Sequence, residues 1–227
     1  MVRGPSPLLT LVLAALTVAE ALVAPSLPAA TTGTGVRAAG VVGVVLLCGT
    51  VISAAWLHAG RLTLVTLATG VGMLALTFDA TNARAAASLP EAIMWATAGM
   101  LFARSFPQPA LAIAVSLLVA GLAIGGIASD ASTVTAKAAA GDPLTLEIAA
   151  FGGGQALALP ALVVVAIGAI GTWAAALGLR ARWTVVLVLE AAALAAALRI
   201  DPVAPVFGGF LAANADLLVI GVRDEAD

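Results

Sequence analysis

The sequence has few of the side chains that most enzymes use for chemistry. It contains one cysteine, one histidine and no tyrosine. A single cysteine excludes an intrachain disulfide and a cysteine-cluster zinc site. A single histidine excludes a haem held between two imidazoles and a zinc protease of the HExxH type. The only lysine, Lys137, falls in a predicted loop, which excludes a retinal Schiff base within a helix. No catalytic residue, metal or cofactor is predicted, and the sequence leans away from an enzyme.

Charge is also scarce, and this decides the class of protein. Charged residues make up 10% of the 227 residues, the formal net charge is −2, and 62% of the residues are hydrophobic. Nucleic-acid binding needs clustered basic residues, which the chain lacks, so nucleic acid is not an expected partner. A soluble protein of this size cannot bury so much apolar surface, whereas a lipid bilayer can cover it. The composition predicts an integral membrane protein whose main partner is the lipid bilayer.

Apolar segments alternate along the chain with glycine, proline and charged residues. A membrane span needs about 20 mostly apolar residues, so we expect an all-α, polytopic transmembrane helix bundle in one domain, residues 1–227. Eight candidate spans are present, at about 7–24, 38–59, 62–79, 89–104, 108–128, 156–179, 183–199 and 203–222. The first segment also resembles a signal peptide, and its cleavage would leave seven spans. Its length and the residues Glu20, Pro25 and Pro28 argue against cleavage.

The connections predict how the chain is oriented. Three tight connections alternate with three longer ones, so the two kinds lie on opposite membrane faces. The face with the tight connections and both termini carries more arginine: Arg3, Arg61, Arg104, Arg180, Arg182 and Arg223. Basic residues in short loops favour the cytoplasm. We therefore expect both termini to be cytoplasmic, in the plasma membrane of a prokaryote.

Two stretches resemble one another and indicate a possible internal duplication. The run "GTVISAAWLHAGRLTLVTL" from Gly49 is similar to "GTWAAALGLRARWTVVLVL" from Gly171. A duplication would give two parallel four-helix halves, a plan known in transporters, with the halves placed at residues 1–128 and 129–227. The alternative is a chance match, because sequences rich in Ala, Leu and Val align easily.

Four polar residues within the apolar segments are candidates for binding an ion or a proton. Glu190 and Asp216 lie about 10–12 Å from the cytoplasmic side at the rise of an α-helix. They fall on consecutive antiparallel segments, so they could lie at one depth. Acids within a membrane seldom face lipid, and small residues surround both, so we expect both to point into the bundle. Asn214 is a polar neighbour, and Glu20 lies about 7 Å inside the other face.

Two interpretations of these acids stay open. In the first, Glu190 and Asp216 share a proton or bind a cation, because two buried carboxylates repel each other. In the second, each acid is neutral and hydrogen-bonded to a backbone carbonyl or to a hydroxyl such as Thr172 or Thr184. A further unusual stretch, "GDPLTLEIAAFGGGQALALP" at 141–160, is expected to be a re-entrant or interfacial piece with a glycine hinge.

Three functions are compatible with these observations. The first is a multi-pass, permease-like protein for a small solute or ion, with a buried acidic site. The alternative is a non-catalytic subunit or scaffold of a membrane complex, whose small-residue faces bind partner membrane helices or a second copy in a homo-oligomer. An intramembrane enzyme acting on a lipid ranks last, because the Asp-rich signatures of diphosphate chemistry are missing.

Overall fold

The computed structural model describes residues 6–29, 33–57, 60–80, 84–128, 144–152, 155–177, 181–198, 200 and 202–215. These residues form eight α-helices and one β-hairpin, and a 3-10 turn, Ala24–Ser26, follows the first helix. The elements are α1 Pro7–Val23, α2 Gly33–Ala55, α3 Arg61–Ala80, α4 Arg84–Ser105, α5 Pro109–Ala128, β1 Thr145–Ala149, β2 Gln155–Pro160, α6 Ala161–Ala176, α7 Ala181–Leu198 and α8 Val203–Ala213. The predicted helical class is confirmed, and each helix overlaps one of the eight apolar segments.

Hydrogen bonds between elements define two ends of the bundle. At one end, which we call the hairpin end, the Gly152 amide donates to the Ala24 carbonyl at 3.0 Å, next to the end of α1. At the opposite end, the turn end, the Arg61 guanidinium donates to the Arg104 carbonyl at 2.9 Å. The Trp173 indole N–H donates to the Phe106 carbonyl there at 3.0 Å. Short connections therefore meet at the turn end, and the hairpin lies at the other.

Helix α6 is the centre of the packing. Most of its residues are buried, and Val163, Ile167, Ile170 and Trp173 are fully enclosed. It contacts α2, α4 and α8, while α7 packs between α2 and α8. A helix that is apolar all round is the kind that a bundle buries completely. By contrast, α1 packs chiefly on α2, and α3 packs chiefly on α4.

Glycines allow the helices around α6 to approach each other closely. A Cβ placed on Gly99 of α4 would collide with the carbonyl of Val165 on α6. A Cβ on Gly168 of α6 would lie 2.5 Å from a carbonyl oxygen of α4. On α8, a Cβ on Gly209 would lie 2.7 Å from a carbonyl oxygen of α7. Small residues at such crossings are typical of tightly packed helices in membranes.

The segment expected to be re-entrant or interfacial forms an antiparallel β-hairpin. Thr145 pairs with Pro160 at its open end, and Gly152 has a φ angle of 85° in its turn. Alternate residues of β1, Leu146 and Ile148, are buried, as expected for a strand with one face on a core. The hairpin contacts α2 and α4. Its apolar run did not reveal this, because a short apolar run fits a strand or a helix equally.

The described helices differ in their suitability for crossing a bilayer. Two of them, Pro7–Ser26 and Gly33–Ala55, are long and apolar enough, and the others are shorter or less apolar over their described length. A buried core helix or a signal sequence would meet the same criterion, so eight spans are not established by it. The possible duplication, with its halves at 1–128 and 129–227, likewise stays a prediction.

Candidate functional site

Glu190 does not point into the bundle, which corrects the orientation predicted from the sequence. The buried face of α7 carries Thr184, Val188, Ala192 and Ala195. Glu190 lies two residues from Val188 and from Ala192, which is about 200° around a helix from each. Its side chain is consequently exposed. The surrounding run "EAAALAAA" does not predict which face is buried, because alanine occurs on every side of the helix.

Asn214 is buried, but its hydrogen bonds are internal to the bundle. Its amide nitrogen donates to the Thr184 hydroxyl at 3.0 Å and to the Phe210 carbonyl at 2.9 Å. A side-chain amide has two N–H donors, so both are occupied. Asn214 therefore joins α8 to α7 through these two hydrogen bonds, and its predicted part in an ion or proton site stays a prediction. Asp216 lies outside the described residues, so the predicted pairing with Glu190 stays a prediction.

Glu20 is the predicted site residue that lines a cavity. At the hairpin end, a cavity of about 440 Å³ lies between α1, α2, α4 and β1. We call it the acidic cavity, because Glu20 and Glu147 line it, together with Thr17, Gly43 and Ser88. Most of its remaining wall is apolar. The structure thus places one candidate acid in the wall of the same cavity as a second acid that the sequence did not single out.

The carboxyl group of Glu20 packs over Gly43. A Cβ on Gly43 would lie 3.3 Å from Glu20 Oε1 and would collide with the Ile148 side chain of the hairpin. Glu20 as a whole is half-buried. Its Oε1 atom, however, is enclosed, and within the described ranges it has no hydrogen-bond partner. Only glycine at position 43 leaves room for the acid and the hairpin together.

The hairpin brings Glu147 to the wall of the acidic cavity. Glu147 is the central residue of β1, and its backbone N–H donates to the Ser88 hydroxyl at 3.1 Å. Ser88 lies in the first turns of α4, so this bond ties the hairpin to that helix. Glu147 was missed as a site residue because nothing in the sequence shows that the hairpin folds back against α1. Because Glu20 and Glu147 are far apart in the sequence, the sequence alone does not show that both line one cavity.

A second, apolar cavity adjoins the first. Its volume is about 250 Å³, and it lies among α1, α2, α3 and α4. Thr17, Leu47, Leu89 and Ala92 line both cavities, so they are neighbours along one cleft. From this shared wall the apolar cavity extends towards Met100, near the turn-end half of α4.

The hydroxyl groups in this cleft are satisfied by the protein. Thr17 and Thr50 share a hydrogen bond of 2.8 Å between their hydroxyl oxygens. The Thr97 hydroxyl donates towards backbone carbonyls of its own helix, at 3.0 Å from Ile93 and 2.8 Å from Met94. The hydroxyls therefore add little unused polarity. The polar atom that stands out in the cleft is the carboxyl oxygen of Glu20.

The electrostatics of the acidic cavity are one-sided. Two glutamates line it, and no lysine, arginine or histidine belongs to its described lining. Within the described part of the chain, no group of three or more His, Cys, Asp or Glu side chains is arranged to hold a metal ion. Cys48 is buried in α2, as expected for a cysteine that acts as a small hydrophobic residue. The arrangement suits a ligand that donates hydrogen bonds or carries positive charge.

Comparison of the chain with protein-family models, with curated proteins and with solved structures gives no match.

Proposed function

We propose that the protein is a multi-pass integral membrane protein that moves a small solute, and that this solute binds beside Glu20. In this proposal the eight helices are the membrane spans, and the turn end is cytoplasmic, as the arginine distribution predicts. Support comes from large apolar side chains on the outside of the bundle. Leu8 and Leu11 of α1 are 69% and 67% exposed, and Leu62 of α3 is 80% exposed. Lipid would cover such apolar surfaces, whose exposure to water is unfavourable.

The observation that carries the proposal is the enclosed Oε1 atom of Glu20, which has no partner in the described structure. A buried acceptor left without a hydrogen bond costs about 1–3 kcal/mol, and more if it is charged. Polar groups kept at such a cost inside an apolar bundle are commonly functional. Because this oxygen is enclosed beside Gly43, a solute with a donor group would satisfy it once the packing around Gly43 opens.

The packing of the helices supports movement around the cleft. The cleft lies between helices α1 and α2 on one side and α3 and α4 on the other. Helix α1 has few contacts with α4, and α3 depends chiefly on α4. Helices that pack chiefly on one neighbour are less constrained than a helix enclosed on all sides, and they can shift in hinge and shear motions. We propose that such a shift opens the cleft to the two faces of the membrane in turn.

Side-specific labelling of Thr17, which lines both cavities, tests this function without knowledge of the solute. The parent would be the Cys48→Ala variant, and Thr17→Cys would place one thiol in the cleft. In proteoliposomes we expect an impermeant thiol reagent to label Thr17→Cys from either face. Ala192→Cys, at a fully buried position of α7, is the matched control and should stay unlabelled. Labelling of Thr17→Cys from one face alone, or from neither, would contradict a permease.

A scaffold or subunit function is the second candidate, and the exposed face of α7 favours it. Glu190 lies on this face among the exposed apolar side chains of Trp183, Val186 and Leu194. An acid facing lipid is costly, so a partner helix or a second copy could cover it. On this account the cleft would have no need to open to both faces, and the labelling experiment separates the two functions.

A further inference from the structure

We infer that the solute is an organic cation with an apolar body, bound with its cationic head at Glu20 and its body in the apolar cavity. The inference rests on the proposed function and names the class of its substrate. It chooses between the two kinds of solute, a metal ion and an organic molecule, that an acidic site alone would allow. Three features of the cleft support it: its charge, its shape and its supply of oxygen ligands.

Charge favours a cationic head group. Glu20 and Glu147 line the acidic cavity, and its described wall contains no basic side chain that could neutralise them. The enclosed Oε1 of Glu20 accepts no hydrogen bond from the described residues. An ammonium group donates up to three hydrogen bonds and accepts none. Such a head group would donate to the carboxyl group of Glu20 in the cavity wall, whereas an anion would offer it no donor.

Shape favours an apolar body attached to that head. The acidic cavity of about 440 Å³ adjoins the apolar cavity of about 250 Å³ through a shared wall that includes Leu47, Leu89 and Ala92. Sites for drug-sized molecules measure about 300–1,000 Å³ and are mostly apolar, with few polar groups that fix orientation. A metal ion would leave the apolar cavity unused. A molecule with a polar head and a hydrocarbon body would fill both.

The supply of oxygen ligands disfavours a metal ion. A hard cation such as Ca²⁺ takes about 6–8 oxygen ligands. The hydroxyls of Thr17 and Thr50 already bond to one another. The described side chains contain no group of three or more His, Cys, Asp or Glu arranged around one point. An apolar wall with so few free oxygen atoms fits an ammonium group better than it fits a coordination sphere.

Binding of two matched probes to the purified full-length protein in detergent tests the inference. The probes are 1-adamantylamine, a cation at neutral pH, and 1-adamantanol, which has the same cage and no charge. A charge-assisted hydrogen bond should make the amine bind about tenfold more tightly than the alcohol, or more. Glu20→Gln should remove this preference, and retained binding of the alcohol would show that the variant is folded.

Glu190→Gln is the matched control, because Glu190 lies on the exposed face of α7. It should keep the preference for the amine. Equal affinity for the two probes, no binding of either, or a preference that survives Glu20→Gln would each overturn the inference. Displacement of the amine by Na⁺ or Mg²⁺ at lower concentration than by a second alkylamine would overturn it as well, in favour of a metal site.

The two experiments fail in different ways. If Thr17→Cys is labelled from both faces and the amine is not preferred, the permease function stands and the class of solute is wrong. If the amine is preferred through Glu20 and labelling occurs from one face alone, the ligand class stands and the permease function is wrong.

Discussion

Two glutamates of this chain, similar in sequence, have different surroundings in the fold. Glu20 and Glu190 each interrupt a long apolar run. Glu20 has an oxygen enclosed over Gly43 in the cleft, without a partner among the described residues, whereas Glu190 is exposed on α7. The enclosed acid is therefore the one on which the proposed solute site depends, and the exposed acid is the one on which the scaffold proposal depends.

The polar residue Asn214 has a different role, which stability measurements can test. Its amide bonds to Thr184 and to the Phe210 carbonyl, at the point where α8 ends. Asn214→Ala would leave both acceptors short of a donor, so we expect the free energy of unfolding to fall by about 1–3 kcal/mol. Thermal or denaturant unfolding in detergent measures this.

Glu190→Gln provides the comparison, because an exposed side chain contributes little to the packing of one chain. We expect its unfolding midpoint to match that of the parent. A larger loss for Glu190→Gln than for Asn214→Ala would show that the assignment of the two residues is reversed.

At the scale of the elements, helices were predictable and their orientations were not. Long apolar runs bounded by glycine, proline or charge predict the eight helices of the described residues, since such runs depend on local composition. The face that a helix buries depends on its neighbours. Alanines at 191–193 and 195–197 give α7 no preferred side, so the inward orientation expected for Glu190 was wrong. The hairpin and its Glu147 were missed for a related reason, because its packing against α2 and α4 involves distant segments.

The crossing of α4 and α6 can be tested with a pair of glycine substitutions. Gly168→Ala would place a Cβ 2.5 Å from a carbonyl oxygen of α4. We expect overpacking to lower the free energy of unfolding by about 1–3 kcal/mol. Gly70→Ala on α3 is the control, because nothing lies within 4 Å of its added Cβ. Alanine suits a helix better than glycine, so Gly70→Ala should raise stability by about 0.5–1 kcal/mol. Equal effects of the two changes would argue against a close crossing.

At the scale of the whole molecule, a firm core adjoins a less constrained cleft. Helix α6 is buried among α2, α4 and α8, while α1 and α3 lie at the periphery and border the cleft. In the proposed function, α6 would be the fixed part, and the peripheral helices, each packed chiefly on one neighbour, would be the part that shifts. It also explains why the candidate site lies by α1 and the hairpin instead of at the densely packed centre. The sequence indicated Glu20 as a candidate, but only the fold joins it to Glu147 and to an apolar cavity.

The most direct measurement of the central claim is uptake of 1-adamantylamine into proteoliposomes with a negative interior potential. A potential of 100 mV is worth about 2.3 kcal/mol for each elementary charge, so a transported cation should accumulate. We expect the initial rate to exceed that of protein-free vesicles, Glu20→Gln to abolish the excess, and Glu190→Gln to retain it. A rate equal to that of protein-free vesicles, or an excess that survives Glu20→Gln, would contradict transport through the acidic cavity.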